Sequence, residues 1–600
     1  MAVKYHTVTF LPENKSIRVE NLKTIFETIG EENPEDIQLF FSCGAEGICQ
    51  KCKVRSFQPM GPLTATEKGC LSDEELARGV RLACQARVVQ DSQVEIQYKR
   101  PFTIALVNED ISSQGPARLQ KIVFGSADAR QPDIDLLLKA ALEAGLDVSR
   151  FGLIEKLNDC LKNSSVQEYA QWTAVFFDGR LTVLEPGDTS AALYAAAVDL
   201  GTNTLQVSLV DVLHGKKIAV VTDSNPQIEL GDTYESRLAM VEEDELNLEI
   251  LNEEIVLRID VLVHELCAAC SVASDQVYEI TVAGATGMLH LFLMRAPGPL
   301  EQHAEDAHCS GRFLAGQLDL HSTAQAGITV LPVISSYAGA DITAAILATR
   351  LHRSNETTLL LDLGGSTKAV LYHEGDLFAC AVDCTAVFDG SGLSCGMRPE
   401  AGAVAGVRLG DDGDLDIAVI DESLARGVCG SGMLELAACL RKTGLLDDLG
   451  NFVEPKGGSG PLQKRLTIVD DEPAIILFND TGEFSTDIFV TRRDIEKLFE
   501  TQGRVAAMLE YLCAQVGIES RKISRMFVSG ALGGRLSEGT LASFGFASDV
   551  LDGRIDFIGN ASKHGAQLAL FDKAMADEAE KLVRAVISIS FPGLPEQHTE

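Results

Sequence analysis

This 600-residue sequence lacks long hydrophobic runs, and its basic residues are few relative to its acidic ones. No uninterrupted apolar stretch reaches the roughly 18 residues that a membrane-spanning helix needs, so no such helix is predicted. The opening residues MAVKYHTVTF alternate like a strand and lack the basic and apolar regions of a signal peptide, so we expect a cytoplasmic protein. Lys and Arg number 51 against 87 Asp and Glu, a net charge of −36. This charge argues against nucleic acid and anionic membranes as partners, because each recognises a basic surface.

The G-x4-G-K-[ST] pattern of P-loop nucleotide-binding proteins is also absent. Trp172 is the only tryptophan, and a core position is its simplest interpretation. Hydrophobic residues nevertheless make up 46% of the chain, which is typical of a globular protein. The length exceeds what one core supports, so several domains are predicted.

Cysteine, in contrast, is abundant, and three of the 15 cysteines lie close together in FSCGAEGICQKCKV. Cys43, Cys49 and Cys52 have C-x5-C-x2-C spacing, and Cys84 follows in RLACQARV. Four thiolates hold the two irons of a [2Fe–2S] cluster, and the small residues between the first two cysteines let the chain bend around it. A zinc site and unpaired thiols are the alternatives to a cluster, and Cys70 is the alternative fourth ligand.

Composition and periodicity divide the chain into four parts. Residues 1–97 contain short alternating strands with a helix, which suits a β-grasp ferredoxin domain. Residues 98–120 carry Pro, Ser and Gly without a clear period and predict a flexible linker. Residues 121–194 predict a small α/β domain for docking or dimerisation, with a strand–turn–strand at Asp-Gly. Residues 195–600 alternate strands and helices in two similar halves, which predicts a duplicated α/β architecture with a cleft.

Two Asp-Leu-Gly turns, which begin at Asp199 and Asp362, follow apolar strands in the two halves. A glycine in such a turn lets a phosphate approach the backbone, neighbouring hydroxyls donate hydrogen bonds, and the aspartate can hold Mg²⁺ through water. A glycine-rich strand end further along could wrap an adenosine. The candidate nucleotide-binding residues are Asp199, Gly201, Thr202, Asn203, Thr204, Gly364, Gly365, Ser366, Gly430, Gly530, Gly533 and Gly534.

In this order, the turns and the glycine-rich strand end resemble the acetate and sugar kinase, heat-shock chaperone and actin superfamily. That resemblance implies two ribonuclease-H-like halves that bind ATP with Mg²⁺ between them. The cysteine run resembles the adrenodoxin-type [2Fe–2S] ferredoxins. The combination looks like the reductive activators of corrinoid proteins, and the supporting segments are NPQIELGDTYESRL, AGATGMLHLFL, SSYAGADITA, GVCGSGMLELAACL and IGNASKHGAQLAL.

The resemblance implies an ATP-dependent activator that transfers an electron from its cluster to inactive Co(II) of a corrinoid protein. The Co(I) product would support methyl transfer in anaerobic one-carbon metabolism. A corrinoid protein and an external low-potential reductant are the implied partners, and a homodimer is a further expectation. Carried over by matching position, Cys43, Cys49, Cys52 and Cys84 hold the cluster.

The second phosphate turn departs from the family pattern D-x-G-T-N-G-E, because here it reads DLGGSTK. Lys368 therefore replaces a glutamate, and it either neutralises phosphate charge or points to solvent. Asp362 is the first candidate for the group that activates water, and Asp341 is the second.

Two other functions fit parts of the sequence. A small-molecule kinase with a ferredoxin-like redox module would need a second substrate site, and no sugar- or acetate-binding motif is evident. An ATP-dependent activator of another low-potential enzyme would typically bridge a [4Fe–4S] cluster between subunits, and the N-terminal four-thiol module argues against that.

Two weaker clusters also contain potential metal ligands. Cys267 and Cys270 form a C-x2-C pair in an apolar helical stretch, for which buried thiols are the preferred interpretation. His303, His308 and Cys309 lie close together but lack a fourth ligand at suitable spacing.

Overall fold

The computed structural model describes most of the chain, in two compact units. One unit comprises Met1–Thr103 with Asp244–Glu254, and the other comprises Ile104–Glu243 with Ile255–Glu600. None of the helices in the described part is long and apolar enough to cross a membrane. The described residues are 4–11, 15–27, 52–96, 103–111, 117–125, 133–146, 170–231, 233–295, 309–388, 390, 392–399, 402–420, 424–447, 449–453, 460–478, 487–533, 536–546 and 554–592.

The N-terminal unit is built on a five-stranded sheet. Its elements are β1 Tyr5–Leu11, β2 Lys15–Glu20, β3 Lys53–Ser56, α1 Ala65–Cys70, α2 Asp73–Ala77, β4 Val80–Leu82 and β5 Ser92–Ile96. The strand order is β2-β1-β5-β3-β4, and the β1–β5 pair is parallel. Alternate residues of β1, such as Val8 and Phe10, are buried in the core, as the sequence alternation predicts. This mixed sheet confirms the β-grasp ferredoxin fold.

A strand lies inside the segment whose composition predicts a linker. β6, Thr103–Asp110, is the edge strand of a seven-stranded sheet and is hydrogen-bonded to β12, Lys216–Ser224. The linker prediction is therefore wrong for these eight residues. An edge strand with its acidic end exposed resembles a loop in composition, and here Glu109 and Asp110 pair with Lys217 and Lys216.

A three-stranded antiparallel sheet with one helix follows. Its elements are β7 Leu119–Gly125, α3 Ile134–Glu143, β8 Gln171–Phe177 and β9 Arg180–Pro186. The predicted Asp-Gly turn joins β8 to β9, with φ of +50° at Asp178 and +76° at Gly179. Trp172 is buried in this small core, as predicted.

Six more strands complete the seven-stranded sheet, whose order is β14-β15-β13-β10-β11-β12-β6. These strands and their helices are β10 Tyr194–Leu200, β11 Thr204–Asp211, β12 Lys216–Ser224, α4 Tyr234–Glu243, α5 Leu246–Ala269, β13 Val277–Gly284, α6 Thr286–Phe292, β14 Gly311–Leu314, β15 Gly327–Val330 and α7 Ala340–Thr349.

The last part of the chain forms a six-stranded sheet of order β26-β25-β16-β17-β18-β27, with two three-stranded sheets inserted between β18 and β25. Its elements are β16 Thr358–Asp362, β17 Ser366–His373, β18 Asp376–Asp383, α8 Thr385–Phe388, β19 Ala403–Leu409, β20 Leu415–Val419, β21 Gly427–Val428, α9 Gly430–Lys442, β22 Leu466–Val469, β23 Glu472–Phe478, β24 Ile488–Thr491, α10 Arg492–Val516, β25 Arg525–Ser529, α11 Gly530–Gly533, α12 Glu538–Ser543, β26 Ile555–Gly559, α13 Ala561–Phe571, α14 Lys573–Ala585 and β27 Val586–Ser588.

The two large sheets repeat one topology. Each contains an antiparallel triplet, β10-β11-β12 in the first and β16-β17-β18 in the second. In each, the first strand of the triplet also pairs in parallel with a later strand, β13 or β25, which pairs in parallel with another, β15 or β26. The predicted duplicated ribonuclease-H-like architecture is confirmed.

Helix α13 connects the two halves, because it follows the second sheet in the chain but packs on the first. A Cβ atom on Gly565 would lie 1.8 Å from the carbonyl oxygen of Ala344 in α7, so only glycine allows the two helices to approach this closely. The side chain of Gln567 donates to Ser208 Oγ on β11 at 2.8 Å. The N-terminus of α13 is thereby fixed near the end of β10.

Candidate cluster and nucleotide sites

Two of the four predicted cluster ligands lie in the described residues, and their sulfur atoms meet. Cys52 directly precedes β3, and Cys84 follows β4, its antiparallel neighbour. Both side chains are buried, and their Sγ atoms are 3.2 Å apart. The neighbouring Cys84 thiol lowers the pKa of Cys52 to about 7. Two close thiols, one of them readily ionised, fit a shared iron centre.

The other ligands stay predictions, because Cys43 and Cys49 lie outside the described residues. Cys70, the alternative fourth ligand, ends α1 and packs against the apolar core of the sheet. The sulfur in contact with Cys52 is that of Cys84, and this geometry favours Cys84 over Cys70.

Asp199 lies at the end of β10, where the first phosphate turn begins. Its two carboxylate oxygens accept hydrogen bonds from Asn560 Nδ2 and Ser562 Oγ, each at 2.6 Å. Asn560 is the N-cap of α13, since its side chain also accepts from the backbone of Lys563 at 2.8 Å. The start of α13 therefore fixes the orientation of the Asp199 carboxylate.

Gly201 has a different role from the one that the sequence suggests. A Cβ atom here would lie 2.9 Å from the carbonyl oxygen of Thr204, so the glycine is needed to close the turn. In the second turn, a Cβ atom on Gly364 would meet nothing within 4 Å. The open approach expected of a phosphate-binding glycine is therefore found at Gly364.

Asp362 occupies the equivalent position at the end of β16. Its Oδ1 accepts from Ser529 Oγ, on the parallel neighbour β25, at 2.6 Å. Gly530 follows with a φ of +95°, and a Cβ atom on it would lie 2.7 Å from Asp362 Oδ1. The glycine-rich strand end thus packs directly against the second phosphate turn.

Lys368 is buried on β17 and does not point to solvent, which excludes one of the two predicted roles. Its Nζ atom is 2.7 Å from Asp341 Oδ2, at the start of α7. The structure thereby joins Asp341, the second candidate for activating water, to the second phosphate turn.

The three aspartates and Lys368 form one electrostatic cluster. Burial raises the pKa of Asp362 to about 6, against the lowering effects of Lys368 and Ser529. Burial likewise raises the pKa of Asp199, and the Asp341 charge adds to this effect. Burial alone would lower the pKa of Lys368, but Asp341 and Asp362 outweigh it and the pKa is raised. A cationic ligand or a protonated carboxylate would relieve this concentration of negative charge.

Two of the remaining candidate glycines, Gly430 and Gly533, have packing explanations. Gly430 begins α9, and a Cβ atom on it would lie 2.2 Å from the carbonyl oxygen of Phe388. Gly533 ends α11 against Val528, and Gly534 lies outside the described residues. Gly365, whose carbonyl oxygen accepts from the backbone of Cys384, and the exposed Ser366 belong to the second turn. Their contact with a nucleotide stays a prediction.

The sequence pattern does not reveal three residues of the site. Asn560, Ser562 and Ser529 reach the two aspartates from positions far along the chain. The only local signal is an asparagine followed by a helix, as in any N-cap. Pairing of β16 with β25 would have indicated Ser529, because the register places it opposite Asp362.

The described cysteines of the two weaker clusters are buried or half-buried thiols. Cys267 is buried and Cys270 half-buried, as preferred from the sequence, and burial raises the pKa of both thiols. Cys309 is a core residue, whereas His303 and His308 lie outside the described residues. Within the described ranges, no three His, Cys, Asp or Glu side chains group as a metal site.

Three family profiles match successive parts of the chain. The 2Fe-2S iron-sulfur cluster binding domain matches residues 8–89. The RACo middle region matches residues 194–354, and the C-terminal domain of RACo, the ASKHA domain, matches residues 356–596. The boundary between the last two falls between the seven-stranded and six-stranded sheets.

A curated relative and a solved structure are each similar to this chain over nearly its whole length. The corrinoid activation enzyme RamQ of Eubacterium limosum is 23% identical over 561 residues, which cover 91% of this chain and 90% of RamQ. A solved structure described as a reductive activator for a corrinoid, iron-sulfur protein superposes with a TM-score of 0.70 at 25% identity, over 98% of this chain and 96% of that one. The chlorosome protein I of Chlorobaculum tepidum is 36% identical over 59 residues only, which cover 9% of this chain and 24% of that protein.

The fold and its sites define a [2Fe–2S] ferredoxin domain joined to an ATP-binding ASKHA-type domain. The similarity to RamQ and to the solved activator runs through both parts. The chain belongs to the reductive activators of corrinoid proteins.

Proposed function

We propose that this protein uses ATP to drive one electron from its [2Fe–2S] cluster to Co(II) of a corrinoid protein, which gives Co(I) for methyl transfer. An external low-potential reductant replaces the electron in the cluster. The proposal is based on two groups of residues in one chain. Asp199, Asp341, Asp362 and Lys368 interact electrostatically at the phosphate turns. The thiols of Cys52 and Cys84 are in contact in the ferredoxin domain.

Asp199 is the proposed contact, through water, for the magnesium ion that accompanies ATP. Mg²⁺ keeps several waters and is usually held by one or two carboxylates together with phosphates, so no cage of three protein ligands is needed. Thr202, Asn203 and Thr204, which follow Asp199 in the turn, are half-buried. They are proposed to bind phosphate in the first turn, and Gly364 admits phosphate to the second.

Asp362 is the better candidate for the group that orients or deprotonates water. The Asp341 carboxylate is already engaged in its ion pair with Lys368. Asp362, in contrast, has a pKa of about 6, close to the value at which a carboxylate is an effective general base at neutral pH. Asp341 is proposed to position Lys368, whose charge can offset phosphate charge.

The four cysteines Cys43, Cys49, Cys52 and Cys84 are the proposed cluster ligands. When bound, the cluster supplies a one-electron redox centre. The contact between Cys52 and Cys84 supports two of the four assignments. EPR of the reduced protein tests the set, because Cys84→Ser should alter or abolish a [2Fe–2S] signal and Cys70→Ser should leave it unchanged. Loss of the signal only in Cys70→Ser would contradict the assignment.

ATP hydrolysis provides the direct test of the proposed coupling. The full-length protein should hydrolyse ATP faster when a corrinoid protein in the Co(II) state is added. Asp199→Ala should remove this activity. The control is Asp416→Ala, at an exposed position on β20 whose ion-pair partner Arg408 is also exposed. Phosphorylation of a sugar, polyol or carboxylate by the wild-type protein would instead support a kinase.

Three further parts of the proposal concern the setting in which the protein works. They are a cytoplasmic location, a homodimer and a role in anaerobic one-carbon metabolism.

A further inference from the structure

Protein donors hold all the carbonyl oxygens of the first phosphate turn, residues 201–204. Asn225 Nδ2 donates to the carbonyl oxygen of Gly201 at 2.9 Å, and the Asn225 backbone N–H donates to that of Asn203 at 2.9 Å. Arg237 Nη2 donates to the carbonyl oxygen of Thr202 at 2.8 Å. The turn closes on itself through Gly201 N–H, which donates to the carbonyl oxygen of Thr204 at 2.9 Å.

Asn225 and Arg237 are fully buried and approach the turn from the same side. Both contact Gln227 Oε1, at 3.3 and 3.2 Å, and both contact Met288 Sδ, at 3.7 and 2.9 Å. Arg237 Nε also donates to the carbonyl oxygen of Gly231 at 2.8 Å. Burying a guanidinium is costly, and its fixed fork of donors is suited to holding several oxygens at once.

The held carbonyls determine where the turn's N–H groups point. In a trans peptide, the C=O and the N–H of one peptide unit point in opposite directions. Asn225, through its side chain and its backbone N–H, and Arg237 hold the carbonyls of the first three turn residues. The N–H groups of Thr202, Asn203 and Thr204 therefore each point away from the donor that holds the carbonyl of the same peptide unit. Successive N–H groups on one side of a turn form an anion-binding concavity.

We infer that Asn225 and Arg237 are positioning residues that present the N–H groups of Thr202, Asn203 and Thr204 to the phosphates of the nucleotide. This inference rests on the proposed ATP site. It assigns a role to NPQIELGDTYESRL, because the segment supplies both donors. Neither residue touches the nucleotide, so their loss should weaken binding of phosphates and leave binding of adenosine intact.

The test compares ATP with adenosine on full-length protein. Arg237→Met should weaken ATP binding about tenfold or more, the typical effect of losing hydrogen bonds at a charged group, and change adenosine binding less than about twofold. Calorimetric titration measures both ligands, and thermal unfolding reports stability. Arg465→Met is the matched control, because Arg465 is also largely buried and donates to a backbone carbonyl, that of Leu477 at 2.8 Å, in the sheet of β22, β23 and β24, outside both phosphate turns. It should leave both affinities unchanged.

Arg237→Lys supplies a second variant, which keeps a buried cation but loses the fork. Its ATP affinity should lie between those of the wild type and Arg237→Met. If the Met variant does not fold, the prediction is that the Lys variant binds ATP more weakly than the wild type. The inference is overturned if the Lys variant, and the Met variant where it folds, bind ATP as tightly as the wild type. It is also overturned if the affinities for ATP and adenosine fall equally. Either result leaves the proposed function standing. Failure of the wild-type protein to bind ATP overturns both.

Discussion

Asp362 combines a proposed catalytic role with a cost in stability. Burial raises its pKa from the usual 3.8 to about 6, so at neutral pH Asp362 is ionised in both the folded and the unfolded protein, and folding must bury the charged carboxylate at a cost in stability. The shift of about two units corresponds to roughly 3 kcal/mol, and partial exposure reduces this to about 2 kcal/mol.

We predict that Asp362→Asn stabilises the folded protein by about 2 kcal/mol at pH 7 and abolishes ATP hydrolysis. The amide removes the ionisation cost and can still accept the hydrogen bond from Ser529. The stabilisation depends on pH. The cost of burying the ionised Asp362 is fully present above pH 6, declines as Asp362 is protonated, and is gone below pH 3.8, its usual pKa. Urea unfolding from pH 4 to 8 measures the difference. Equal stability of both proteins across this range would contradict the raised pKa.

The contributions of Lys368 and Asp341 to the stability of the folded protein should be coupled. We predict that Lys368→Met alone costs about 3–5 kcal/mol, because it leaves the Asp341 carboxylate buried without its cation. Asp341→Asn combined with Lys368→Met should cost much less than Lys368→Met alone. A double-mutant cycle by chemical unfolding measures the coupling, and additive effects would show that the pair is not energetically linked.

At the residue scale, the sequence could identify groups whose chemistry is carried by a local pattern. Asp199 and Asp362 were predictable because each ends an apolar strand before a glycine turn. The orientation of Lys368 was not, since alternation along one strand does not say which charged partner another helix supplies. Asn560 and Ser562 contact Asp199 from more than 300 residues away in the chain, so no local pattern could assign them.

At the scale of elements, helix α13 orders the nucleotide site through its packing on α7. We predict that Gly565→Ala destabilises the protein by about 1–3 kcal/mol or more, because the added methyl group would meet the Ala344 carbonyl oxygen. Displacing the helix should also weaken ATP binding, since its N-terminus carries Asn560 and Ser562. Thermal unfolding and ATP titration measure the two effects.

Gly503→Ala is the control for this experiment. Gly503 lies in α10, and a Cβ atom on it would meet nothing within 4 Å, so alanine should stabilise the protein by up to about 1 kcal/mol. ATP affinity should not change. A similar loss of stability in both variants would contradict the role assigned to the contact between α13 and α7.

The elements also show where sequence patterns fail. The strongly apolar strands of both halves were predictable from their hydrophobic runs, and the hairpin at Asp178–Gly179 from its turn residues. Strand β6 was missed because an edge strand is hydrogen-bonded on one side only, so its composition can stay polar. Its place beside β12 depends on tertiary pairing, which composition does not encode.

At the scale of the molecule, duplication made the architecture predictable. Two Asp-Leu-Gly turns in one chain predicted two similar halves, and the two sheets repeat the same order over five of their strands. The interpretation of 98–120 as a flexible linker suggested a ferredoxin domain that moves freely. Thr103–Asp110 instead forms a strand of the seven-stranded sheet, so these residues are not part of a linker.

The reduction of cobalt in a corrinoid protein tests the central claim most directly. With a strong reductant and ATP, the full-length protein should convert Co(II) to Co(I), followed by absorbance, and without ATP the conversion should be slow or absent. Cys84→Ser and Asp199→Ala should each abolish it, while Asp416→Ala should not. Failure of wild-type protein with an intact cluster to form Co(I), or full activity in both Cys84→Ser and Asp199→Ala, would contradict the account.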